Sequence, residues 1–265
     1  MSLDQVDIVV FAPHPDDEVI GTGGVIQHAL AAGKRVRVVF STSGDGYPRA
    51  AARLAGKAVE ELEPEDFIRL GETRRAEAVE ADALLGLSKS DLVHLGFPDG
   101  AFTSVLGATG QTPIAAPLTG LDASPTGAPY TRSAALGVFS DVLSESGPSE
   151  IYVTAEADEH GDHSATYRVV RDAMQTTGSK ARLLTFVVHA GHDTWPDPGP
   201  RYETKTINGV VHPRGVSWPP PIRIPITDHE VEVKRQALMK HASQWALDHA
   251  YLGTFVKSEE VFWPA

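Results

Sequence analysis

The stretch VDIVVFAPHPDDEVIGTGG, residues 6–24, combines a strand-like run, a cluster of charged residues and a helix-like run. Its first part, VDIVVF, is typical of a short buried strand, and the residues after Glu18 read as a helix. Between the two, His14 is followed within four residues by the carboxylates Asp16, Asp17 and Glu18. Like charges this close repel each other, so the pattern indicates that a cation compensates them at the end of the strand.

Strand-like and helix-like segments alternate along most of the chain. Further strand-like runs are RVRVVFSTS at 35–43, DLVHLGF at 91–97, SEIYVTA at 149–155 and RLLTFVVHA at 182–190. This spacing predicts an α/β fold with a mostly parallel sheet and helices on both of its faces. PPIRIPIT at 220–227 is predicted to be an edge strand, and Asp228 to cap the last helix. We expect residues 1–265 to form a single domain.

Two long irregular insertions interrupt the alternation, at 101–130 and 191–221. Loops of this length are usually lids, binding loops or subunit contacts. The first insertion is expected to shape the substrate pocket. A homo-oligomer with the insertions as contacts is compatible with the sequence.

Composition excludes several classes of function. The net charge is −12, whereas a nucleic-acid or anionic-lipid surface needs a basic patch. No apolar run approaches the ~20 residues of a membrane span. The start, MSLDQVD, lacks the basic and then apolar pattern of a secretory signal, so a cytoplasmic location is expected. With no cysteine, any metal must be held by imidazole and carboxylate groups.

A second acidic segment, EADEHGDH at 156–163, follows the fourth predicted strand. Ligands of open parallel sheets bind at the carboxyl ends of the strands, so this segment and the first one are expected to share one rim. His14, Asp17 and His163 are then predicted to converge on one cation. Two imidazoles and one carboxylate leave an open position, which is typical of catalytic rather than structural zinc.

The neighbouring residues suggest hydrolytic chemistry at that rim. Zinc lowers the pKa of a bound water from ~15.7 to ~7, and Asp16, beside a ligand, is predicted to accept the proton of that water. His160, held in its protonated form by Asp162, is predicted to stabilise an oxyanion or to protonate a leaving amine. The predicted catalytic residues are therefore Asp16, His160 and Asp162.

At these residues the chain resembles the PIG-L family, the LmbE-like zinc-dependent deacetylases of N-acetylglucosamine derivatives. APHPDDE resembles the first motif of the family, and HGDH resembles the second. The resemblance implies a Rossmann-like fold with the active site at the strand carboxyl ends. It also implies zinc ligands at His14, Asp17 and His163, a general base at Asp16, and a transition-state stabiliser at His160 oriented by Asp162.

Weaker matches suggest substrate-binding residues. ETRRAEAVEADALLG contains Arg74, LGFPDG contains Asp99, and ALMKHASQ contains His241. His192 is added because it follows the fifth predicted strand. The predicted function is removal of an N-acetyl group from an amino sugar or an N-acetylglucosamine conjugate, with Zn²⁺ as cofactor and a small molecule as substrate.

Two alternatives remain at this point. Two histidines and one carboxylate also form the ligand set of non-haem iron enzymes, so Fe²⁺ is a possible metal. The second alternative is a non-catalytic sugar-binding protein that keeps the metal. Asp16 disfavours this reading, because a binding site needs no spare carboxylate beside its ligand.

Overall fold

The computed structural model describes residues 3–190, 195–207, 210–213 and 218–265. Its helices and strands alternate along the first two thirds of the chain. In chain order they are β1 Ile8–Ala12, α1 Asp17–Ala31, β2 Val36–Thr42, α2 Pro48–Ala55, α3 Pro64–Leu85, β3 Leu92–Phe97, α4 Phe102–Gly107, α5 Arg132–Ser146, β4 Glu150–Thr154, α6 Gly161–Thr177, β5 Arg182–Phe186, β6 Lys205–Ile207, β7 Val210–His212, β8 Ile222–Pro225, α7 Asp228–Lys240, α8 Ala242–Leu252 and β9 Glu259–Pro264.

Seven strands form one sheet in the order β3-β2-β1-β4-β5-β9-β8. The first five are parallel, and β9 and β8 continue the sheet in antiparallel pairing. The predicted α/β class with a mostly parallel sheet is confirmed, and the order 3-2-1-4-5 is that of Rossmann-like folds. Because the strand order reverses between β1 and β4, a crevice opens at the carboxyl ends of these two strands.

Alternate side chains of β1 point into two different hydrophobic clusters. Ile8, Val10 and Ala12 pack with residues of α1, α3 and α7 on one face of the sheet. Val9 and Phe11 pack with residues of α5 and α6 on the other face. All five residues of β1 are buried, as expected for a parallel strand covered on both faces.

Some elements differ from the prediction. β8 lies at the sheet edge as predicted, but its partner β9 was not predicted. The last helical segment divides at His241 into α7 and α8. Thr227, rather than Asp228, is the N-cap of α7, because its hydroxyl accepts from the Glu230 N–H while the Glu230 carboxylate accepts from the Thr227 N–H. Among the described residues, no helix combines the length and apolar character needed to cross a bilayer.

Candidate active site

Three potential metal ligands meet at the crevice between β1 and β4. His14 lies in the turn after β1, Asp17 begins α1, and His163 lies in the first turn of α6. His14 Nδ1 and His163 Nε2 are 3.2 Å apart, and each is 3.2 Å from Asp17 Oδ2. The three atoms therefore form a nearly equilateral triangle, and all three residues are buried.

This triangle fits a small divalent ion. Zinc bonds of 2.0–2.1 Å in tetrahedral geometry place ligand atoms about 3.3 Å apart, close to the separations found here. Burial alone would raise the pKa of Asp17, but His163 and His14 outweigh it and hold this pKa well below its usual value. Two imidazoles and an ionised carboxylate could thus hold zinc or ferrous iron at this point, with one position left for water or substrate.

Asp158 contacts His163 on the side away from the other two candidate ligands, and it was not among the site residues predicted from the sequence. Its Oδ1 lies 3.2 Å from His163 Nδ1, and its other oxygen accepts backbone N–H groups of Val188 and His189 at 2.8 and 3.0 Å. A carboxylate behind a ligating histidine fixes the orientation of the imidazole. The available signal was an aspartate five residues before His163, in the loop that follows the fourth strand.

Two carboxylates stand behind His14. Its Nε2 is 3.2 Å from Asp99 Oδ1 and 3.3 Å from Asp162 Oδ2. The Asp162 carboxylate also accepts the backbone N–H groups of Gly100 at 2.6 Å and Phe102 at 3.1 Å. Asp99, predicted to bind substrate, does line the cavity, and it also contacts the candidate ligand His14.

The predicted support of His160 by the Asp162 carboxylate is wrong. His160 is the N-cap of α6, and its Nδ1 accepts the backbone N–H of Asp162 at 3.2 Å, while the carboxylate faces His14. Burial, together with His14 and His163, lowers the pKa of His160 to about 4, so its imidazole is neutral rather than protonated as expected. The expected contact is absent for a local reason: the Nδ1 atom of His160 caps the start of α6, so it is not available to the Asp162 carboxylate.

Asp16 lies beside the triangle and pairs with Arg74. Its Oδ2 is 3.1 Å from Arg74 Nη2, and burial raises its pKa to about 6 although Arg74 opposes that shift. Arg74 was predicted to bind substrate. It lines the cavity, but its two terminal nitrogens donate to Gly44 O at 2.9 Å and Pro15 O at 2.8 Å. In this structure Arg74 therefore also supports the loop that carries Asp16, and its predicted contact with a substrate stays a prediction.

One other predicted substrate-binding residue, His241, does not reach the site. His241 is fully buried beneath α1, with its Nε2 3.2 Å from Glu18 Oε1, and it does not line the cavity. Its predicted contact with substrate is therefore wrong. His192 lies outside the described residues.

A cavity of about 640 Å³ opens above the candidate ligands, within the size range of small-molecule sites. Its inner end carries His14, Asp17 and His160, and its outer walls include residues from α8 and from the turn before α2. None of the described residues that line the cavity comes from 101–130, so the predicted effect of that insertion on substrate preference stays a prediction. Gln244, Asp248 and Tyr251 of α8 do line the cavity, and none of them was among the predicted site residues.

The sequence profile of the PIG-L family, described as GlcNAc-PI de-N-acetylase, matches residues 9–174, which is more than half of the chain. The chain belongs to the PIG-L family. The matched range includes both acidic segments and all three corners of the donor triangle.

Among curated relatives, a 1D-myo-inositol 2-acetamido-2-deoxy-alpha-D-glucopyranoside deacetylase of Mycobacterium sp. (strain KMS) is 31% identical over 166 residues, covering 61% of this chain and 48% of that protein. A putative glucosamine-6-phosphate deaminase-like protein of Bacteroides thetaiotaomicron is 23% identical, over 97% of this chain and 38% of that protein. The chain thus spans less than half the length of these relatives.

Solved structures share the fold. N,N'-diacetylchitobiose deacetylase from Pyrococcus horikoshii superposes with a TM-score of 0.59 at 20% identity, covering 98% of this chain and 83% of the other. A deacetylase of teicoplanin biosynthesis, in complex with teicoplanin, has the same TM-score and identity, with 97% of each chain covered. The 4-carboxy-2-hydroxymuconate hydratase of Pseudomonas putida, at 16% identity, has a TM-score of 0.55, with 95% and 82% covered.

Proposed function

We propose that this chain is a zinc-dependent N-deacetylase that releases acetate from an N-acetylglucosamine-type amino sugar or conjugate. The observation that carries the proposal is the buried carboxylate of Asp16, which lines the same cavity as two corners of the donor triangle yet pairs with Arg74. Membership of the PIG-L family and the names of the relatives support the reaction type. A cytoplasmic location remains part of the proposal.

A bound divalent ion would polarise the amide carbonyl and lower the pKa of a water molecule. Asp16 would accept the proton of the attacking water, since its carboxylate lines the cavity beside the ligand Asp17. A neutral His160 whose Nδ1 accepts from the backbone carries its own proton on Nε2. That N–H would donate to the oxygen on which negative charge develops. The proton held by Asp16 would then pass to the departing amine.

The test is a panel of N-acetylglucosamine, N,N'-diacetylchitobiose, an N-acetylglucosaminyl inositol and N-acetylglucosamine 6-phosphate. Protein loaded with zinc, and protein loaded with ferrous iron under nitrogen, are each assayed for acetate, for free sugar amine and for ammonia. The expected result is equal amounts of acetate and sugar amine, with no ammonia. Ammonia without acetate would indicate a deaminase. Oxygen consumption by the ferrous form would indicate an iron enzyme. Stoichiometric metal without any product would favour a binding protein.

A further inference from the structure

Asp16 has a backbone conformation that residues with a side chain rarely adopt. Its φ is 138°, and among the described residues it is the one residue other than glycine with a positive φ. Strain of this kind persists only where the surrounding structure enforces it, and it concentrates at functional sites. The contacts that hold Asp16 therefore bear on the reaction.

Glu18 holds the backbone of Asp16. Its Oε2 accepts the Asp16 N–H at 2.9 Å, and its side chain is completely buried. A carboxylate in the first turn of a helix is favoured by the helix dipole, but such a residue is usually exposed. A buried carboxylate needs a compensating group.

That group comes from the other end of the chain. Glu18 Oε1 lies 3.2 Å from Nε2 of His241, which is also completely buried. The two atoms are within ion-pairing distance, but they do not form a well-aligned hydrogen bond. His241 is the residue between α7 and α8, so the contact links Asp16 to the start of the helix that walls the cavity.

We infer that Glu18 and His241 are positioning residues: Glu18 holds Asp16 at its strained φ so that the carboxylate faces the cavity, and His241 holds Glu18. The inference rests on the proposed function, in which Asp16 accepts a proton. If the pair of Glu18 and His241 only anchored α8, removing it would lower stability without affecting the conformation of Asp16.

Glu77 offers a matched control for that structural role. Its carboxylate accepts the backbone N–H and the hydroxyl of Ser243 at 2.8 and 2.7 Å. It thus anchors the same start of α8 to α3 without contacting Asp16. Removing Glu77 loosens this anchor and leaves the backbone of Asp16 held by Glu18.

The experiment compares kcat, KM, metal content and thermal stability. Glu18→Ala, and Glu18→Asp, which keeps the charge but is one methylene shorter, should each lower kcat on the order of 10²-fold with little change in KM or bound metal. Glu18→Gln should recover most of that loss, because an amide oxygen still accepts from Asp16. His241→Ala should lower kcat in the same way, whereas Glu77→Ala should lower thermal stability without this loss of kcat.

Added to Asp16→Asn, Glu18→Asp should cause no further loss of kcat, because the group that it positions is already gone. An equal loss of kcat in Glu77→Ala, or a full additional loss in the Asp16→Asn background, would overturn the inference.

Crystal structures give a readout that needs no activity. Residue 16 should leave positive φ in Glu18→Asp and keep it in Glu77→Ala. A positive φ in both would overturn the positioning role, whereas lack of acetate release by the wild-type protein would overturn the proposed function alone.

Discussion

Replacing Asp16 with asparagine separates proton transfer from metal binding. The side chain keeps its shape, and its amide oxygen can still accept from Arg74, which also retains two backbone acceptors. The triangle of Asp17, His14 and His163 atoms does not include Asp16, so bound metal should be retained. Loss of a positioned general base should lower kcat by about 10²–10⁴-fold, which corresponds to about 3–5 kcal/mol of transition-state stabilisation.

Asp17→Asn is the matched comparison. Asp17 Oδ2 is 3.2 Å from a nitrogen of each histidine ligand, so it forms the charged corner of the triangle. A neutral amide should bind metal much more weakly, and activity should fall with the bound metal. Added zinc should then restore part of the activity of Asp17→Asn and none of that of Asp16→Asn.

The assay measures bound zinc after dialysis together with kcat and KM from acetate release. Asp16→Asn should keep stoichiometric zinc and a nearly unchanged KM. If both variants lose metal alike, Asp16 is itself a ligand and the assignment of roles is wrong. If Asp16→Asn keeps a nearly normal kcat, the reaction uses another base.

Three further predictions concern other buried groups. Asp158→Asn should weaken metal affinity about 10–100-fold in a chelator competition, and an unchanged affinity would show that Asp158 does not support His163. Lys234→Met leaves Glu260 buried without the partner 2.7 Å away, so urea unfolding should show a loss of about 3–5 kcal/mol that Glu260→Gln partly reverses. Burial, assisted by the charge of Asp99, raises the pKa of Asp45 from 3.8 to about 6. The protonated Asp45 carboxyl therefore contributes stability that is fully present below pH 3.8 and is lost as the pH rises through 6. Asp45→Asn should therefore be more stable than the wild type at pH 8, by at most about 3 kcal/mol, and this difference should vanish near pH 3.8. An equal difference in unfolding free energy at both pH values would contradict this prediction.

Much of the fold was predictable because its five parallel strands are short runs of mainly apolar residues. Strands buried on both faces need such runs, and β1 is buried throughout. β9 was missed because it begins with two glutamates, a pattern that disfavours a buried strand. Glu259 and Glu260 are buried there because Arg223 and Lys234, distant in sequence, pair with them.

The kinds of donor at the rim, and the strand ends that present them, follow from the sequence alone. His14 and Asp17 are three residues apart, and HGDH lies in the loop and first helical turn after β4, so local spacing and the crossover rule suffice to predict their convergence. The partner of each donor group, in contrast, depends on how distant parts of the chain pack together. Asp162 faces His14 rather than His160, Asp158 lies behind His163, and α8 walls the cavity. These contacts depend on side-chain directions and on the packing of distant helices, which local spacing does not specify.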